Sequence, residues 1–183
     1  MRIVEPIRDS GKVRDIADYL KTQSKRNWFL FMLGIYGGRR IQDNLALRVE
    51  DLRGKTHMRI REGKTGKDVL LKINPVLMSA IREYTAGMAD GDYLFRSRNG
   101  RNTPIGREQA YRIVRAAGEA FGLSNIGTHT LRKTFGYFYY KQTDGDIVTL
   151  QKLFNHSSAL VTELYIGIKQ EETDRKVGNM RIF

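Results

Sequence analysis

Cysteine is absent from the 183 residues, which excludes disulfides, thiolate-bound zinc and a cysteine nucleophile. Proline occurs three times, scattered, and no repeat, low-complexity run or Pro/Ser-rich linker divides the chain. Long apolar runs are missing too. The longest, Trp28 to Leu33 extended by Ile35 and Tyr36, is far short of the roughly 20 residues that span a bilayer. Met1 to Ser10 holds no apolar stretch that could serve as a signal peptide, so the reading is cytoplasmic, without a membrane partner. Acidic residues are in deficit: 20 Asp and Glu face 32 Lys and Arg, a net charge of +12. An excess of that size asks for a polyanion, with nucleic acid first, and the plainer alternative is a basic solubility surface. No segment pairs a basic amphipathic helix with a hydrophobic anchor, as binding to a membrane surface would require.

What remains is the composition of a folded body. Hydrophobic residues make up 40% of the chain, with nine Tyr, eight Phe and one Trp, enough for one domain or a compact pair of subdomains. Asp9 and Ser10 can cap a helix through about Thr22, with Val13, Ile16, Ala17 and Leu20 on one face. A second helix, from about Ser24 to Tyr36, is apolar nearly all round and therefore predicted to be buried, and Gly37-Gly38 breaks it. A short helix from Arg40 to Leu47 follows, with Ile41 and Leu45 inward and Asp43 on another side. Met58 and Ile60, then Val69, Leu71 and Ile73, alternate with polar residues around the turn Gly63-Lys64-Thr65-Gly66-Lys67, which predicts an antiparallel hairpin. Asn74-Pro75 starts another helix, Tyr93 to Phe95 reads as a short extended piece, and a helix after Pro104 stops near Gly122. Thr128 is placed as the cap of a helix from His129 to about Gln142. A helix carrying Ile147, Leu150, Leu153 and Phe154 follows, and Asn155 or Ser158 caps a last one bearing Leu164 and Tyr165. Mostly helix with one small sheet suits an α+β domain and not a parallel βαβ fold.

The chemistry lies in the last third. His129 and Arg132, three apart, share one face of a helix's first turn, where amide donors and the positive end of the dipole favour a phosphate. Arginine suits non-bridging phosphate oxygens because its planar, permanently charged fork makes two parallel hydrogen bonds, and a second arginine can hold the other side. Tyr165 is a candidate nucleophile whose phenol, with an ordinary pKa of about 10, needs a base or nearby cations to attack at neutral pH. Each residue alone has a plainer reading. His129 can partner backbone or solvent, His156 can end a helix, Tyr165 can be core, and Lys64 can be a solvated turn charge.

Their order and spacing resemble the tyrosine recombinases, the phage-integrase family. Thr128-His129-Thr130-Leu131-Arg132-Lys133-Thr134-Phe135 is similar to the family's His-x-Leu-Arg-His/Lys-Thr-Phe motif. Phe154-Asn155-His156-Ser157-Ser158 is similar to its Leu-Gly-His-Ser/Thr segment, with Tyr165 nine positions after His156. Gly38-Arg39-Arg40-Ile41-Gln42-Asp43 followed by Leu45-Ala46-Leu47 resembles Gly-x-Arg-Ile-x-Glu and Leu-x-Leu, and a Lys-Thr-Gly-Lys turn falls on Lys64. The resemblance spans about residues 10 to 168. It implies a mainly helical α+β catalytic domain with a small three-stranded antiparallel sheet, similar to type IB topoisomerases. It places that domain at 1–168 and a tail that docks on a neighbouring protomer at 169–183, the other reading of the tail being a frayed end. It also implies that an N-terminal core-binding domain is absent from this chain, as in a minimal recombinase or a fragment of a longer one.

Carried over, the resemblance implies a DNA strand-transferring enzyme that needs no cofactor or metal. Arg40 and Arg132 would clamp the scissile phosphate, His156 would donate a further hydrogen bond to it, and Tyr165 would attack to give a 3′-phosphotyrosyl enzyme. His129 would be the base, Lys64 the acid and Asp43 an orienting residue. Arg39 is the rival of Arg40 and Lys67 that of Lys64; Asn155 stands in place of a glycine, and Asp43 is shorter than the family's glutamate. The implied partners are double-stranded DNA, further copies in a synaptic tetramer with a monomer when free, and accessory DNA-bending proteins. Rival readings are a catalytically silent DNA-binding regulator and a type IB-like relaxing enzyme. A metal-dependent nuclease lacks an Asp/Glu cluster at ligand spacing beside the histidines.

Overall fold

In the computed structural model, which describes residues 4–61, 66 and 68–181, the helix starts are set by short polar side chains. The Asp9 carboxylate accepts from Gly11 N at 2.7 Å and Lys12 N at 3.2 Å, opening α1, Ser10–Gln23, which buries Ile16, Ala17 and Leu20. Ser24 closes α1 through its own amide and caps α2, Lys25–Gly37, through its hydroxyl. As its uniform hydrophobicity predicts, α2 is the central helix, with Phe29, Leu30, Phe31 and Leu33 at most 2% exposed. Gly38 ends it at φ +58°, and a Cβ there would lie 2.3 Å from the Phe135 ring, so both conformation and space call for glycine.

The chain continues through α3, Ile41–Leu45, a 3₁₀ turn at Val49–Asp51, strands β1, His57–Arg61, and β2, Asp68–Lys72, and α4, Pro75–Thr85. Then come α5, Arg107–Ala120, α6, Thr128–Gln142, α7, Ile147–Phe154, α8, Ala159–Ile166, and α9, Ile168–Gly178. The two strands pair antiparallel from His57 opposite Lys72 to Arg61 opposite Asp68, and Met58 points into the core at 1% exposure. Asn74 caps α4 with Pro75 in its first turn, as predicted.

Two expectations need correction. Among the described residues the sheet has two strands, not three. The extended piece at Tyr93 bridges Arg48, with Leu94 N donating to Leu47 O at 3.0 Å, so its backbone is engaged away from the hairpin. The short helix spans only Ile41–Leu45 and turns Asp43 inward, 6% exposed, beside Asn44 and Leu45.

Side chains gather in two cores. The larger joins α1 to α5 and takes Leu131 from α6. The smaller lies under α6 to α9 around Tyr137, Leu150, Phe154, Ile166 and Ile168. Helix α6 therefore divides them, and Gly136 lets the second core approach it: a Cβ there would meet Ile166 at 2.6 Å and Phe154 at 2.8 Å. The tail runs onward as α9 on the chain's own body, with Ile168 buried and Glu171 paired to Lys141 at 2.9 Å and Arg8 at 3.8 Å. Among the described residues no helix is long and apolar enough to cross a membrane.

Candidate active site

The first turn of α6 is organised one residue earlier than predicted. Gly127, in extended conformation, is the cap, and Thr130 reaches back so that its hydroxyl accepts from Gly127 N at 3.1 Å. Thr128 is the first helical residue instead of the cap. This fixes the helix end that presents His129 and Arg132.

Arg132 is 2% exposed and tied by two hydrogen bonds, Nη1 to Gly38 O at 3.0 Å and Nη2 to Phe154 O at 2.9 Å. Its guanidinium lies 4.2 Å from the Phe154 ring centroid. One side chain thus joins the end of α2 to the end of α7 and is aimed by both. The adjacent arginines upstream separate by burial. Arg39, also 2% exposed, donates to Leu153 O at 2.9 Å and lies against the same α7 terminus. Arg40 caps α3 with extended backbone, is half-buried, and is close enough to lower the pKa of both His129 and Tyr165. Asp43 is buried one helical turn beyond it.

His156 follows α7 by way of Asn155, which ends that helix at φ 52°, ψ 47°. This left-handed conformation is one that glycine adopts freely, and among other residues asparagine tolerates it best. Asn155→Gly is expected to leave thermal stability unchanged or slightly raised, whereas Asn155→Val should cost about 1–2 kcal/mol in chemical denaturation. Ser158, not Asn155, caps α8, accepting from Val161 N at 3.2 Å. Thr162 is fully buried and donates to Ser158 O, so its oxygen accepts from His156 Nδ1 at 3.1 Å. That bond turns the other ring nitrogen outward and makes it a donor whenever the ring carries its second proton.

Tyr165 completes the arrangement from α8. Its hydroxyl lies 3.3 Å from His129 Nδ1, and its ring meets His156 edge-on at 5.0 Å and Phe154 at 5.6 Å. Burial raises the phenol above its ordinary value of 10, while Arg132, which also bonds it, and Arg40 pull the other way. Desolvation, then Arg132, Lys133 and Arg40, hold His129 below the ordinary 6.5, so the imidazole is neutral at pH 7 and able to accept a proton.

Five of the seven predicted residues, Arg40, His129, Arg132, His156 and Tyr165, meet in one place, and Asp43 lies buried behind Arg40. Lys64 and its rival Lys67 lie outside the described residues. A groove of about 720 Å³ opens over Arg40, His129 and Arg132 and continues past Gln42, Arg107 and Tyr111. Sequence reasoning did not single out Gln42, Arg107, Thr162 or Lys133; Gln42 and Lys133 stood inside quoted motifs, and nothing local marked Arg107 or Thr162.

The phage integrase family matches residues 9–172. The probable integrase/recombinase YoeC of Bacillus subtilis (strain 168) is 47% identical over 173 residues, covering 94% of each chain. The tyrosine recombinase XerA of Pyrococcus horikoshii is 29% identical over 161 residues, 86% of this chain, which spans 54% of that longer protein. Among solved structures, a XerA recombinase superposes with a TM-score of 0.74 at 20% identity, over 99% of this chain and 65% of its own. A lambda integrase dimer bound to a COC′ core site gives 0.70 at 17% identity, over 91% and 49%. At such identity the superpositions establish a shared fold.

Proposed function

The chain belongs to the phage integrase family, and on that footing we propose that it cleaves and rejoins DNA strands through a 3′-phosphotyrosyl intermediate on Tyr165. The observation that carries the reading is the convergence of the phenol, an imidazole and two arginines from three separated segments. The phenol oxygen attacks the scissile phosphorus as His129 Nδ1 takes its proton, and the bond to the 5′ oxygen breaks. Arg132 and Arg40 stabilise the phosphate oxygens as charge redistributes, with the outward nitrogen of His156 as a third donor. Lys64 supplies the proton that leaves with the 5′-hydroxyl. Attack by a partner strand's 5′-hydroxyl reverses the step and joins the strands. Within this reading residues 1–168 form the catalytic domain, double-stranded DNA is the substrate, and further copies of the chain assemble on it.

A nicked suicide duplex carrying a matched site tests this. The expected product is a protein–DNA adduct that survives denaturation; binding with no adduct would leave only the silent regulator. Two further results are expected. Adduct formation should fall as pH drops through the His129 value, and because that value lies below 6.5 the acid limb of a pH–rate profile should lie below 6.5 as well. Arg40→Met should move the limb upward, since removing a nearby cation raises the imidazole pKa. A limb above 6.5 in the unmodified protein would remove His129 from the role of base.

A further inference from the structure

The proposed chemistry makes no use of one buried lysine, Lys133. Lys133 follows Arg132 directly, about 100° further round α6. It is 9% exposed, and its ammonium lies 5.2 Å from the centroid of the Tyr165 ring. Elsewhere the ring is edge-on to His156 and Phe154, so its environment combines a cation with two aromatic partners. A buried lysine is costly unless something offsets its desolvation. Here desolvation lowers the Lys133 pKa, Glu5 opposes that, and Arg8 adds to it. A neutral phenol ring attracts an ammonium modestly; a phenolate attracts it more, because the negative charge spreads into the ring. A cation in this place therefore favours ionised over neutral tyrosine.

We propose that Lys133 is a positioning residue for Tyr165, holding the ring with its ammonium and favouring the phenolate. The proposal rests on the reading of Tyr165 as the nucleophile. Among the described residues, the other charged or titratable groups facing the phenol are His129 and Arg132 from α6, Arg40 from the start of α3, and His156 from the loop after α7. Glu5 and Arg8, from the segment before α1, face Lys133 itself. Arg132 and Arg40 act at the phenol oxygen and Lys133 acts at the ring, so their effects add. Lys133 also lowers the His129 pKa, so its removal moves base and nucleophile in the same direction and a pH–rate profile alone does not separate them.

The separating measurement is a titration of Tyr165 itself. With 3,5-difluorotyrosine at position 165 of the full chain, whose phenol ionises at lower pH, the fluorine resonance follows the phenol without DNA. The midpoint should rise by about 0.5–1 pH unit in Lys133→Met and Lys133→Gln and return in Lys133→Arg. Adduct formation by the ordinary-tyrosine Lys133→Met variant at pH 7 should fall about three- to tenfold, with its acid limb shifted upward and DNA affinity unchanged. An unchanged midpoint in both neutral variants overturns the proposal, even if adduct formation drops. Loss of the fold in both, seen by circular dichroism, overturns it too, by assigning Lys133 to stability. The titration needs no DNA, whereas adduct formation by the unmodified protein tests the underlying reading, so the two failures are distinguishable.

Discussion

Phenylalanine at position 165 is expected to abolish covalent attachment to DNA, a loss of at least about 10⁴-fold in adduct formation, while DNA affinity changes by less than about twofold. The substitution removes one oxygen and leaves the ring. The edge-on contacts to Phe154 and His156 depend on the ring, so α8 keeps its seat against the second core. What disappears is the atom 3.3 Å from His129 Nδ1. Binding and chemistry are thereby separated, and a gel-shift titration beside a denaturing gel measures both. Adduct persisting in Tyr165→Phe would point to another nucleophile and dissolve the site.

The second large effect is at Arg132. Arg132→Met should lower adduct formation by about 10² to 10³-fold and cost about 2–4 kcal/mol of stability. The stability loss follows from burial: the side chain is 2% exposed and holds the carbonyls of Gly38 and Phe154, which methionine cannot satisfy. Because those carbonyls end helices on opposite sides of α6, the loss falls on the seam between the cores. Arg39→Met and Arg40→Met make the contrast. Arg39, bonded to Leu153 O and almost fully buried, should cost stability first. Arg40, half-buried beside the phenol and His129, should cost chemistry first. Denaturation midpoints with adduct rates for the three variants check the order; equal behaviour of Arg39→Met and Arg40→Met would undo the distinction.

That distinction also shows where the sequence stops being informative. Two adjacent arginines have the same chemistry, and only a distant carbonyl at Leu153 decides that one becomes a strut. Features made by neighbours were legible: Asp9, Ser24 and Asn74 start helices where their spacing predicts, and the uniformly apolar α2 lies at the centre. The nine-residue interval from His156 to Tyr165 brings the two rings together because it spans one turn and the length of α8. Features made by tertiary packing were not legible. Thr162 orients His156 from six residues away across a turn. The cap at Gly127 is supplied by a threonine inside the helix, so the obvious candidate, Thr128, was the wrong one. The extended piece at Tyr93 bridges Arg48 and Leu47, a pairing across more than forty residues that no local pattern records. The course of α9 depends on Lys141 and Arg8, remote in sequence and indistinguishable there from the other basic residues.

The phosphate clamp and the phenol serve one reaction only if the DNA ends up bonded to the tyrosine in a defined polarity. The direct measurement is to digest the adduct formed on a nicked duplex, identify the modified peptide by mass spectrometry, and test the released strand for a free 5′ end. The expected result is a nucleotide joined through its 3′ phosphate to Tyr165, with a 5′-hydroxyl on the released strand that a polynucleotide kinase phosphorylates directly. A nucleotide on any other residue, or a 5′ phosphate on the released strand, would contradict it.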